Sequence, residues 1–373
     1  MTTKMPAAFS VYLDLLRVVA AAVVVLSHYP LTASQAAITD RFNFGYDAVI
    51  VFFVLSGYVI SHAVDTKERD GLTYSINRIA RIMPVAVVAV LLSLLLMAWG
   101  SQVNPVLYPE ATQLQRPLYY VLRTVSFTNE FWWDDIRPFG NGPYWSLAFE
   151  VWCYILYGLA IFSRGRWRVV MVLAALLVTG PKQWLMLPIW LAGVAAYRYR
   201  DGFTLSRKAL WRICLCPVVL FFVIQLSNPR DWSYPLAGMQ VERLLGHGLD
   251  GAANFGWGYL LAFLVAAHLF AARQLGLSSR SGAHGRPAVI VRHLAAYTFS
   301  LYIYHYPLLF FWQALLGQTR DFYDPVQRAL MYAGILIPVF ILGRLVEGRK
   351  KQFRQLLIAS VSSARRLIGP RTP

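Results

Sequence analysis

Long apolar stretches separated by short polar segments run through most of the chain. They fall at 8–30, 44–64, 82–100, 142–163, 167–181, 183–198, 209–227, 252–272, 291–317 and 328–346. Most approach the ~20 residues that a helix needs to cross a hydrocarbon core. The fifth and sixth are short and split at Gly180-Pro181, so one broken helix is the other reading of that pair. A transmembrane β-barrel is excluded, because its strands alternate and run to only ~10 residues. The pattern predicts an all-α, polytopic integral membrane bundle of about ten transmembrane helices over 1–346, with a basic tail at 347–373.

Composition sharpens this reading. Hydrophobic residues make up 57% of the chain and charged residues 14%, against roughly 25% charged in soluble domains. A soluble enzyme, a disordered chain and a disulfide-stapled secreted domain are thereby set aside. The net charge of +17 suggests nucleic acid in a soluble protein, but here topology accounts for it. Of the 35 basic residues, 25 lie on the side of the two termini and 9 on the other, with Arg17 inside the first span. The positive-inside rule then makes the termini cytoplasmic, and the excess charge meets anionic inner-leaflet lipid. The first apolar run carries Asp14 and Arg17 and reads as a retained helix rather than a cleaved signal. Cys153, Cys214 and Cys216 lie within apolar runs and read as reduced packing residues.

Charged residues within a membrane span are costly and mark functional sites by default. Asp14 and Arg17 are spaced i,i+3 and able to pair. Arg17 and His28, eleven residues apart, lie within about 20° of one helix face and ~16 Å apart along the axis. Asp14, Arg17 and His28 thus form one polar stripe. Glu150 sits ~12 Å down the fourth span, with Ser146 and Tyr154 on its face; pairing with Arg17 is one way to tolerate its charge. In the ninth span, His305 falls at a height comparable with His28, near Tyr302. His268 has no polar neighbour at helical spacing and reads as a packing histidine. Arg78 and Arg81 open the third span on the cytoplasmic side; they are either topology anchors or ligands for a phosphate-rich cofactor. The outer loop 101–141 is rich in aromatics, read as an interfacial belt or a platform for sugar rings. No metal-ligand spacing, glycine-rich phosphate loop or nucleophile elbow is present.

Several of these segments resemble motifs of the acyltransferase-3 family of membrane O-acyltransferases. Arg17 through His28 matches its Arg-x10-His signature, and Phe52-Phe53-Val54-Leu55-Ser56-Gly57-Tyr58 its Phe-Phe-x-Leu-Ser-Gly-aromatic motif. Arg78-Ile79-Ala80-Arg81-Ile82-Met83-Pro84 matches Arg-x-x-Arg-Ile-x-Pro, and Trp145 to Glu150 matches Trp-Ser-Leu-x-x-Glu. Ser300-Leu301-Tyr302-Ile303-Tyr304-His305-Tyr306-Pro307 matches the late Ser-Leu-Tyr-x-x-His-x-Pro element. The family's Glu-x-Pro element is present only in part, at Glu347-Gly348-Arg349, and no role is carried onto it.

The resemblance implies a multi-pass protein of the bacterial inner membrane with cytoplasmic termini. It implies transfer of an acyl group, usually acetyl, from cytoplasmic acyl-CoA to a hydroxyl of a cell-surface polysaccharide or lipid-linked sugar. Some relatives carry an appended SGNH-type domain; with none after residue 346, a stand-alone transferase is expected. On this reading Arg78, Arg81 and Arg17 hold the donor, and His28 acts as general base or carries the acyl group. Arg17, with Asp14 and Glu150, stabilises the oxyanion or positions the thioester, while Ser146, Tyr302 and His305 complete the outer pocket. A small-molecule acceptor such as an antibiotic is the rival within this class. A transporter or flippase is the rival outside it, although no inverted repeat is visible. A purely structural membrane subunit leaves the polar stripe unexplained.

Overall fold

The computed structural model describes residues 5–203, 205–276, 285–316 and 324–368. Gly317, the end of the ninth expected span, and residues 369–373 of the tail lie outside them. Sixteen α-helices, short 3₁₀ turns and one π-helical turn at Tyr234–Gly238 make up the regular structure of the described residues, with no strand among them. The first half comprises α1 (Ala7–His28), α2 (Ala33–Phe42), α3 (Phe44–Thr66), α4 (Gly71–Val103), α5 (Pro117–Val125), α6 (Tyr144–Phe162), α7 (Gly165–Thr179) and α8 (Pro181–Arg198). The second comprises α9 (Arg207–Gln225), α10 (Pro229–Ser233), α11 (Met239–Leu245), α12 (Phe255–Gln274), α13 (Arg286–Ala295), α14 (Thr298–Leu316), α15 (Pro325–Val346) and α16 (Lys350–Ile368).

Among the described residues, seven helices are long and apolar enough to cross a membrane: α1, α3, α4, α6, α9, α12 and the continuous stretch Pro325–Ser363 that contains α15. The expected spans at 167–181, 183–198 and 291–317 form helices but are not among the seven. α7 has only 15 residues. α8 carries Lys182, Gln183 and Pro188, and α14 carries the tyrosines, His305 and Pro307, which lower their mean hydropathy. Gly180, at φ +83°, breaks the chain between α7 and α8, so that pair is two helices. Local chemistry sets several starts. Asp70 accepts from Thr73 N at 2.8 Å ahead of α4, and Ser206 from Ala209 N at 3.2 Å ahead of α9.

The centre of the bundle is a close approach of α3 and α8. A Cβ on Gly57 would stand 2.1 Å from the Trp190 carbonyl oxygen, and one on Gly193 would stand 1.9 Å from that of Val54. Lipid tails are as apolar as side chains, so membrane helices associate through such small-residue contacts and interhelical hydrogen bonds. Gly57 of the Phe-Phe-x-Leu-Ser-Gly motif is therefore a packing requirement. Pro307 lies inside α14 and cannot donate to the Ile303 carbonyl. Asn141, fully buried at the mouth of α6, supplies the missing donor, its Nδ2 lying 3.0 Å from Ile303 O.

The loops around residues 130 and 250 are pinned by buried charge. The Lys182 ammonium is fully buried, 3.2 Å from Glu130, 3.3 Å from Asp250 and 2.6 Å from the Asp134 carbonyl. The aromatics of loop 101–141 are mostly engaged in packing. Tyr108 and Phe127 are buried, Phe131 packs edge-on against Trp152, and Trp133 stacks on His247 with ring centroids 4.3 Å apart. Of the cysteines, Cys153 and Cys214 are buried as expected, whereas Cys216 is exposed on α9. On a membrane helix the apolar surround of such a face is lipid, so hydrophobicity alone did not tell the two positions apart.

Candidate active site

A cavity of about 80 Å³ lies between α1, α3, α4, α6 and α14. Arg17 and Arg81 line one end, Ser56, Glu150 and Tyr154 the middle, and Ser146 and Tyr302 the other end. Of the residues predicted from separate helices, Arg17, Arg81, Ser146, Glu150 and Tyr302 thus line one space, whereas Asp14, Arg78, His28 and His305 do not, and several local partners differ from the expectation.

Arg17 pairs with Asp14 at 3.1 Å, both partly buried. Glu150 makes no ion pair with Arg17 or with any other described cation. Its carboxylate instead accepts from Ser56 Oγ at 2.6 Å and from the Tyr154 hydroxyl. Ser56 is itself 2.8 Å from the Tyr154 hydroxyl and accepts from Trp190 Nε1 at 3.2 Å. A carboxylate in this setting is stabilised by hydrogen bonds rather than by a counter-charge. Sequence reasoning quoted Ser56 within a motif but gave it no role. Its position one residue before the close-packed Gly57 was the available signal.

Arg78 and Arg81 part company. Arg81 lines the central cavity and a second cavity next to it. Arg78 lines neither. It pairs with buried Glu68 at 2.5 Å and lies over the rings of Tyr74 and Tyr154. The i,i+3 spacing predicts two arginines that face one way; instead Glu68, in the connection between α3 and α4, draws Arg78 aside and only Arg81 reaches the cavities.

At the other end, the hydroxyls of Ser146 and Tyr302 lie 2.6 Å apart and both reach the Pro143 carbonyl, at 3.2 and 3.0 Å. They brace the start of α6 against α14. Beyond them His28 and His305 meet across α1 and α14, with His28 Nδ1 3.0 Å from His305 Nε2. His305 is fully buried, while His28 is exposed.

The hydrogen-bond partners assign the tautomers. His305 Nδ1 is 3.0 Å from Leu301 O and 2.8 Å from Tyr302 O, and a carbonyl only accepts, so Nδ1 carries the proton. In a neutral ring Nε2 then has the lone pair and accepts from His28 Nδ1–H. That leaves His28 Nε2 as an unprotonated base at the open end. The Tyr306 ring stands edge-on to His28 with centroids 4.9 Å apart. His268 lies outside this arrangement: it bonds to the Tyr12 hydroxyl and, at 2.7 Å, to the Cys214 carbonyl, and so is a satisfied packing histidine.

A buried polar track ending in an exposed imidazole base is suited to moving an acyl group held at one end onto a nucleophile at the other. The chain belongs to the acyltransferase-3 family, whose acyltransferase-domain model matches residues 10–346. It is similar to an O-acetyl transferase of Shigella phage Sf6, with 27% identity over 153 residues. That match covers 40% of this chain and 45% of the relative, so the chain spans less than half the length of the curated relative it matches. No solved structure matches it. The protein is thus an acyltransferase-family member with several membrane-spanning helices.

Proposed function

We propose that the protein is a membrane O-acyltransferase moving an acyl group, acetyl in the first instance, from cytoplasmic acyl-CoA to a sugar hydroxyl of a cell-surface glycan or its lipid-linked precursor. The observation that carries this reading is the cavity from Arg81 past Arg17 to Ser146 and Tyr302, with the His28–His305 pair beyond it. Similarity to an O-acetyl transferase supports the oxygen acceptor and the acetyl donor. The charge asymmetry of the loops supports about ten spans with both termini in the cytoplasm of a bacterial cell, in its inner membrane.

In this mechanism the donor's arm enters from the inner end past Arg81 and Arg17. His28 Nε2 takes the proton of the acceptor hydroxyl as its oxygen attacks the thioester carbonyl. The tetrahedral adduct collapses, breaking the C–S bond, and the thiolate leaves as CoA once protonated. His305 positions His28 by accepting from Nδ1–H, and also steadies the imidazolium formed transiently. Arg17 lies ~16 Å from His28 along α1, too far for both to touch one carbonyl group. Its role is to guide the donor rather than to hold the oxyanion. Glu150, Ser56 and Tyr154 keep the walls polar, and Ser146 with Tyr302 fixes the outer end. Attack by His28 Nε2 on the thioester, giving an acyl-imidazole that the acceptor then cleaves, uses the same lone pair.

The test supplies [14C]acetyl-CoA to inverted vesicles holding the protein, with and without host glycan, for wild type and His28→Ala. Label reaching glycan only with His28 present supports the proposal, and label retained on the protein without glycan identifies the acyl-imidazole route. Equal labelling by His28→Ala removes His28 from the chemistry. Failure across a panel of acyl donors restores the transporter reading.

A further inference from the structure

Next to the central cavity lies a second one of about 240 Å³, which shares Arg17 and Arg81 with it. Its walls come from the middle of α1, from α4, from the end of α15, and from α13 and the start of α16, two helices that the motif reading leaves without a role. They carry four cations, Arg17, Arg81, Arg292 and Lys350, against two carboxylates, Asp14 and Glu347. Both carboxylates are engaged. Asp14 holds Arg17, and Glu347 accepts from the Ser300 backbone N–H at 3.0 Å and from Ser300 Oγ at 2.5 Å. Arg81, Arg292 and Lys350 make no ion pair with a described carboxylate, and all three are exposed.

Asp14 and Glu347 offset part of the charge on these three cations but pair with none of them, so the cavity between the three separate elements still favours an added anion. A multiply charged phosphate group satisfies that arrangement through charge-assisted hydrogen bonds. We propose that Arg81, Arg292 and Lys350 form the phosphate-binding mouth of the donor site, taking the diphosphate of a nucleotide-linked thioester and directing its arm past Arg17. The inference rests on the acyl-CoA reading above and deepens it. Arg78, held by Glu68 outside both cavities, is not part of this site, and the start of the terminal helix α16 is. An anionic lipid headgroup offers the same phosphate chemistry from another source, so the test separates the two.

The experiment measures CoA binding by calorimetry to the full-length protein in zwitterionic phosphatidylcholine nanodiscs, then in discs containing cardiolipin. In Arg292→Ala plus Lys350→Ala, affinity for CoA falls by about ten-fold or more, the loss of two charge-assisted contacts. Arg292→Lys plus Lys350→Arg restores most of it, which separates charge from folding. Arg164→Ala plus Arg166→Ala, removing two exposed cations elsewhere on the same side, leaves it unchanged. Wild-type affinity in the double alanine variant overturns the inference, as does an equal loss in the Arg164/Arg166 control, which means diffuse surface charge. Wild-type affinity that collapses in cardiolipin discs to the level of the alanine variant assigns the mouth to lipid instead. No CoA binding by wild type in either disc overturns the acyl-CoA reading itself, and this site with it.

Discussion

Replacing His305 by leucine tests the histidine pair directly. Leucine fills a similar volume, so the fully buried site is not left as a cavity. The Leu301 and Tyr302 carbonyls also lie within α14, so losing the imidazole costs them a shared partner rather than their only one. The lost hydrogen bond to His28 Nδ1 is worth about 1 kcal/mol, and the exposed His28 ring regains part of that from solvent. Stability therefore changes by only about 1–2 kcal/mol. Activity behaves differently. Without His305, the His28 ring N–H keeps only the Val24 carbonyl of its own helix as an acceptor, and its Nε2 base is no longer held toward the acceptor hydroxyl. A mispositioned general base loses about 10²–10⁴-fold in rate. The assay is single-turnover acetyl transfer in nanodiscs, with CoA binding and thermal unfolding followed on the same preparation. The expected result is a large fall in the transfer rate, unchanged CoA affinity and a small shift in Tm. His305→Gln, whose amide oxygen accepts from Nδ1–H, recovers part of the rate. A rate within about three-fold of wild type for His305→Leu, well short of that general-base contribution, refutes the argument.

Three further outcomes follow from the packing. Asn141→Leu leaves the Ile303 carbonyl beside Pro307 without a donor; thermal unfolding should show a loss of about 1–3 kcal/mol, the cost of one buried orphaned acceptor. Gly57→Ala and Gly193→Ala each place a methyl about 2 Å from an opposing backbone carbonyl, so α3 and α8 must separate. Either variant should lose monodisperse protein on detergent extraction, whereas Gly348→Ala, whose Cβ meets nothing within 4 Å, should not. Lys182→Met removes the cation opposing the burial that pushes the Glu130 carboxyl up to about 8. Without Lys182 the Glu130 carboxyl rises further above its wild-type value of about 8 and folds protonated, so stability is greatest below the ordinary carboxylate range and falls as pH rises from there to beyond 8, a slope that Tm against pH reveals.

The sequence by itself determined the class of protein and picked out the polar residues set within its helices. Span length and low charge required a helical membrane bundle, and a charge in lipid is tolerated only with a partner or a purpose, so Asp14, Arg17, Glu150, His28 and His305 stood out. Helical periodicity placed Asp14 beside Arg17, and the two form an ion pair. Periodicity describes one helix at a time, however, and says nothing of which helix it faces. Tertiary structure decided that His28 meets His305, that Glu150 is held by Ser56 and Tyr154, and that Arg78 and Arg81 part. It also brought α13 and the start of α16 to the cavity that Arg17 and Arg81 line. Within a bilayer, apolar residues gain nothing from choosing a neighbouring helix over lipid, so hydrophobic pattern cannot specify partners. The choice falls to small-residue contacts such as Gly57 against Trp190 and to hydrogen bonds such as Asn141 to Ile303, and these exist only once the helices have met.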